Sequence, residues 1–180
     1  MSRLLRVVDG DRWDFGDDLA DWTARDDLPA AAVSDLKASA TNKLSVWVIE
    51  DDGSNLDRIL AAIASTRPRI DQLDARIVEA GDVSALGVKS ESSPGQTKDR
   101  EANRRWHLNL VELTYQQLGA LVRLLASRAT PLERDDREVT ELIVASVKAG
   151  YIRLEDLRPP PGPGESSVWH VINEAIKGEA

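Results

Sequence analysis

Two histidines, His107 and His170, and no cysteine stand among the 180 residues. The missing thiols remove disulfides, thiolate nucleophiles, iron-sulfur ligation and thiolate-built zinc sites. Catalysis would then have to rest on carboxylates and arginines, with or without magnesium. His107 has Asn109 and Glu112 nearby as partners for base chemistry, yet strand alternation puts Asn109 on its own face and Glu112 on the opposite one. A surface or sheet-packing histidine is the simpler explanation. The chain carries no Gly-x-Ser-x-Gly elbow, Walker loop, His-Glu-x-x-His helix or dinucleotide glycine fingerprint, and no residue pattern calls for a cofactor.

Lys98, Arg100, Arg104 and Arg105 lie beside Trp106 and His107, a basic cluster with an aromatic neighbour. That is the composition a phosphate contact needs, and Arg100, Arg104 and Arg105 are its candidate residues. Asp99 and Glu101 are interleaved, so a solvated loop leading into a strand accounts for the same run.

Acids and rings alternate from Asp9 to Trp22, with Trp13, Phe15, Asp17, Asp18 and Trp22 as candidate partner-binding residues for a basic protein. A calcium loop is disfavoured: Trp13, Asp14 and Ala20 stand where an oxygen ligand, glycine and glutamate are needed. Mimicry of nucleic-acid phosphates has only this one segment behind it. The bland alternative sends the rings into the core and leaves the aspartates to cap helices.

A second candidate surface follows the Pro/Gly-rich run from Arg158 to Ser167, which excludes regular structure and reads as a semi-rigid connector. Val168, Trp169, Val171, Ile172, Ala175 and Ile176 then form one helical face, with Trp169, Ile172 and Ile176 offered to a partner's groove or folded back on the chain's own domain.

These residues need elements to hold them. Ser2 to Val8 and Lys43 to Glu50 read as strands, the latter closed by the turn Asp51-Asp52-Gly53. Asp17 or Asp18 caps a helix through Arg25, and Pro29 opens one over Ala30 to Ala38. A capping box at Ser54 to Asp57 begins a helix with Leu56, Ile59, Leu60 and Ile63 on one face, ended by Pro68. Leu73 to Ala80 is a strand, Ser90 to Arg100 a loop, and Trp106 to Val111 a third strand of this region. Thr114 and Gln117 box a helix to about Arg128, with Pro131 marking a break, and Asp135 and Glu138 begin another that Gly150 closes.

The expected fold is mixed α+β: a small three- to four-stranded sheet of split βαβ type, packed by amphipathic helices, with a C-terminal helix after a Pro-rich linker. Residues 1–158 form one domain, 159–167 the linker and 168–180 the helix. Hydrophobic residues at 42% and charged residues at 30% suit a globular chain. The apolar start is too short for a signal peptide or membrane span, so a cytoplasmic protein is expected, and the Arg/Ala-rich bias suggests bacterial coding. Net charge is −8, and residues 1–57 carry most of it, with 13 acids against 6 bases.

The function expected first is a non-enzymatic interaction module, an accessory, inhibitor or antitoxin-like subunit that binds another protein of basic character. Second comes a small carboxylate- or magnesium-dependent enzyme acting on a phosphate-bearing substrate. A helix-turn-helix reader over Asp136 to Leu157 is disfavoured by the acidic balance, and nucleic acid with it.

Overall fold

The computed structural model describes residues 2–13, 27–36, 42–157 and 168–178. Among these residues six strands form one sheet: β1 (Arg3–Val8), β2 (Lys43–Ile49), β3 (Leu73–Glu79), β4 (Lys89–Ser92), β5 (His107–Val111) and β6 (Thr130–Arg134). Their order is β4-β5-β2-β1-β3-β6, and each neighbouring pair is antiparallel. Eight α-helices surround it among the described residues: α1 (Gly10–Trp13), α2 (Ala30–Asp35), α3 (Leu56–Ala64), α4 (Ala80–Ala85), α5 (Arg100–Arg105), α6 (Tyr115–Ser127), α7 (Asp136–Lys148) and α8 (Val168–Gly178). A 3₁₀ turn spans Leu154–Leu157.

The sheet is therefore larger than the three to four strands expected. Both missed strands are edges, where alternation of apolar and polar residues is weakest. β4 reads Lys-Ser-Glu-Ser and has no buried residue, which protects an edge from further pairing. In β6, Pro131 sits opposite Arg76, and the edge leaves its missing N–H without consequence for the ladder.

β2 and β3 both run antiparallel to β1, so they are parallel to each other, joined through α3 with β1 between them. The split βαβ unit is thus present inside the larger sheet. Strand pleating then divides the core in two. Leu5, Trp47, Ile49, Leu73 and Ala75 pack with Ile59 and Leu60 of α3, Val139 and Ile143 of α7, and Ile172 of α8. Leu4, Val8, Val46, Val78 and Leu110 face the other way, onto Trp13, Leu36, Leu118, Leu121 and Val122. Helices cover both faces of the sheet.

Caps at α6 and α7 form as spaced, Thr114 with Gln117 and Asp135 with Glu138. The box at Ser54 does not. Asn55 precedes α3 and instead ties back to β2, accepting from the Glu50 amide at 3.0 Å and donating to the Val48 carbonyl at 3.0 Å. No helix among the described residues is long and apolar enough to cross a membrane.

Candidate functional site

Asp99 begins the first concavity. Its carboxylate caps α5 by accepting from the amides of Glu101 (3.0 Å) and Ala102 (2.9 Å). Both oxygens also receive the Arg58 fork from α3, Nε to Oδ2 at 2.6 Å and Nη2 to Oδ1 at 3.0 Å. The pair is enclosed, with the Asp99 side chain 2% and the Arg58 side chain 14% exposed. Glu101 takes a third bond from Arg58 Nη2 at 2.9 Å. Hydrogen bonding to Asp99 raises the Arg58 guanidinium above its usual value, against the opposing effect of burial.

Tyr151 lies against this guanidinium, 3.7 Å from its carbon to the ring centre, with Trp106 at 5.2 Å. The end of α7 puts the ring there. Gly150 adopts φ +75°, the Gly150 amide donates to the Val147 carbonyl and the Tyr151 amide to Ser146 at 2.9 Å, a Schellman turn that reverses the chain over α3.

Around this floor opens a cleft of about 340 Å³, lined by five basic side chains and three carboxylates. Lys98, Arg100 and Arg104 are exposed on it and make no ion pair among the described residues. Arg153, by contrast, is held by Asp156 at 2.8 Å. That hydrogen bond keeps the Asp156 carboxyl below the usual carboxylate range, and the charges of Arg153, Arg100 and Lys98 pull the same way. Of the three arginines expected here, Arg100 and Arg104 line the cleft. Arg105 turns instead to Glu101 at 3.3 Å and Glu50 at 3.6 Å.

A second cavity, of about 350 Å³, follows from a parting of two strands. β1 pairs with β2 only at Arg3, Leu4 and Leu5, then continues along β3 to Val8, while β2 continues along β5 to Lys43. Beyond Leu5 the Arg6 guanidinium bridges the gap, donating from Nη1 to the Ser45 carbonyl at 3.1 Å. Its Nε is buried without a hydrogen-bond partner, and burial lowers its pKa against the raising effect of Asp35.

His107 and Ser45 face this cavity from β5 and β2, with 2.5 Å between Nε2 and Oγ. Nδ1 lies 2.6 Å from the Ser93 carbonyl, which only accepts, so the neutral ring carries its proton on Nδ1 and Nε2 accepts from Ser45. Trp47 meets the imidazole edge-on, centroids 5.0 Å apart. Gly95 closes the loop over both rings: a Cβ there would lie 2.7 Å from Asn103 Oδ1 and 3.2 Å from His107 Cγ. Asn103 pins the same loop, accepting from Thr97 Oγ1 at 2.7 Å and donating to the Thr97 carbonyl at 2.9 Å.

The residues proposed as partner surfaces are distributed differently. Trp13 is buried, its Nε1 donating to Asp35 Oδ2 at 2.7 Å. Phe15, Asp17, Asp18 and Trp22 lie outside the described residues, as does the connector before α8. Ile172 is fully enclosed in its own domain, and Trp169 and Ile176 are half-buried against that same core. Beside Trp13, Asp9, Asp11, Asp71, Asp74 and Glu133 line an acidic cleft of about 740 Å³ with Arg69 and Arg76. Among the described residues no three histidine or acidic side chains are arranged to hold a metal ion.

Arg58, Tyr151 and Ser45 escaped the sequence reading because each is distant in the chain from the residues it joins, and Arg153 because it is distant in the chain from the other cations of the cleft. One signal was present: a helix ended by Gly150 directs Tyr151 back over the preceding layer. No family model, curated protein or solved structure matches this chain.

Proposed function

We propose that the protein binds a phosphate-bearing ligand in the cleft rimmed by Lys98, Arg100 and Arg104. One observation carries this reading: in a chain of net charge −8, three exposed cations that form no ion pair among the described residues converge on one concavity. Nearby arginines are neutralised, Arg105 by Glu101 and Arg153 by Asp156. Asp156 feels the charges of Arg100 and Lys98 but is already hydrogen-bonded by Arg153, so the gathered cations still repel one another, and an oxyanion ligand relieves that repulsion. Beneath them the Arg58–Asp99 pair is already satisfied, so it supports the floor and leaves the rim to make the contacts. The test is a calorimetric titration with inorganic pyrophosphate at low salt. Each charge-assisted hydrogen bond contributes about 1.5–3 kcal/mol, so Arg100→Ala and Arg104→Ala should each weaken binding about tenfold or more. Binding that is unchanged in both variants would remove the proposal.

A second reading keeps a basic protein partner. The acidic cleft around Asp9, Asp11, Asp71, Asp74 and Glu133 is broad; Arg12 pairs with Asp9, and Arg67 and Arg69 with Asp71, which leaves Asp11, Asp74 and Glu133 with Arg76 as the field that steers a basic segment. Binding of an oligolysine peptide that is lost in Asp11→Asn with Asp74→Asn would support it, and binding equal in the variant would not.

A further inference from the structure

We propose that Ser45 is an activated nucleophile, with His107 as its general base, in a cavity fitted to a small carboxylic ester. The inference is independent of the phosphate-binding cleft and rests on other residues. A serine hydroxyl is a weak nucleophile until a base stands within hydrogen-bond reach and a third group orients that base. Here Oγ and Nε2 are 2.5 Å apart, and the Ser93 carbonyl, 2.6 Å from Nδ1, fixes the tautomer that leaves Nε2 free to take a proton.

A histidine serving only the core would be packed on every side. His107 is enclosed by Trp47 and Gly95, but its Ser45 partner is half-buried and both residues line a cavity open at the parting of β1 and β2. Val7, Trp47 and Ile63 give that cavity apolar walls, and its volume of about 350 Å³ suits a small substrate. Arg6 lines it too, and its guanidinium, tied to the Ser45 carbonyl through Nη1, puts a positive charge beside the hydroxyl, which favours a developing oxyanion.

The chemistry balances with water as the co-reactant. Ser45 Oγ bonds to the acyl carbon as its proton passes to His107 Nε2, and the imidazolium is held through Nδ1–H by the Ser93 carbonyl. Collapse of the tetrahedral adduct breaks the ester C–O bond, and the leaving alcohol takes the proton from Nε2. Water then attacks the acyl-serine with His107 again accepting the proton, which releases the carboxylic acid and restores the hydroxyl.

The test treats the full chain with a fluorophosphonate probe and locates the adduct by peptide mass spectrometry. An adduct on Ser45 is expected, along with hydrolysis of p-nitrophenyl butyrate that Ser45→Ala abolishes. His107→Asn, with its fold checked by circular dichroism, should slow labelling about 100-fold or more, the range of general-base catalysis. The proposal is overturned if Ser45 stays unlabelled while the native fold is intact, or labels no faster than in urea-unfolded protein. Labelling at an unchanged rate in folded His107→Asn would equally overturn it. Because the wild-type measurement needs no variant, a misfolded His107→Asn leaves the first criterion in force.

Discussion

Arg58 presents its guanidinium face to the Tyr151 ring at 3.7 Å while its edge holds both oxygens of Asp99. One side chain from α3 thereby joins the end of α7 to the start of α5, and the floor of the cationic cleft is set by that junction.

Removal of Asp99 should therefore cost far more than removal of a surface acid. Asp99→Ala strips the cap from α5 and leaves Arg58 enclosed without its main partner, and breaking a buried pair in this way costs about 3–5 kcal/mol. Urea unfolding would measure the loss. Tyr151→Phe keeps the ring over Arg58 and should lie within about 0.5 kcal/mol of wild type, as expected where no special feature is removed.

Acid should weaken the same region in a defined direction. The hydrogen bond from Arg58 holds Glu101 below its ordinary value of 4.5, and that from Arg153 holds Asp156 below 3.8. A depressed carboxyl contributes stability that is complete above its unfolded value and is lost as pH falls through the lower, folded one. Melting temperature should thus lose this contribution only below about pH 5. The double variant Glu101→Gln with Asp156→Asn should show a shallower acid loss than wild type, measured by thermal unfolding between pH 7 and pH 3. Equal slopes would show that these pairs do not contribute.

α8 belongs energetically to the domain. Ile172 is 0% exposed and packs in the same core as Ile143 and Ile152, so Ile172→Ala should destabilise the whole protein by about 2–5 kcal/mol. Loss of a single cooperative unfolding transition, with α8 melting separately, would contradict that placement.

The legible parts of the fold were those with local causes. Capping boxes at Thr114 and Asp135, the left-handed Gly150 and the β-branched, apolar run that forms Lys43–Ile49 each depend on residues a few positions apart. β4 and β6 were not legible, because an edge strand of Lys89, Ser90, Glu91 and Ser92, or one containing Pro131, owes its pairing to its neighbour and not to its own pattern. The same reasoning divides the candidate site. Arg100 and Arg104 were visible as a local charge cluster, while Arg58 and Tyr151 meet them through tertiary packing. Ser45 and His107 come together only because β2 and β5 pair, with Ser45 opposite Asn109 and Trp47 opposite His107.

The phosphate-binding cleft is tested most directly by locating the bound anion. Amide chemical shifts of isotope-labelled protein, followed through a titration with inorganic pyrophosphate, would map it. We expect saturable shifts concentrated at residues 98–104 and 150–153, abolished in Arg100→Ala with Arg104→Ala. Shifts that do not saturate, or that centre elsewhere on the surface, would contradict the assignment of this cleft as the ligand site.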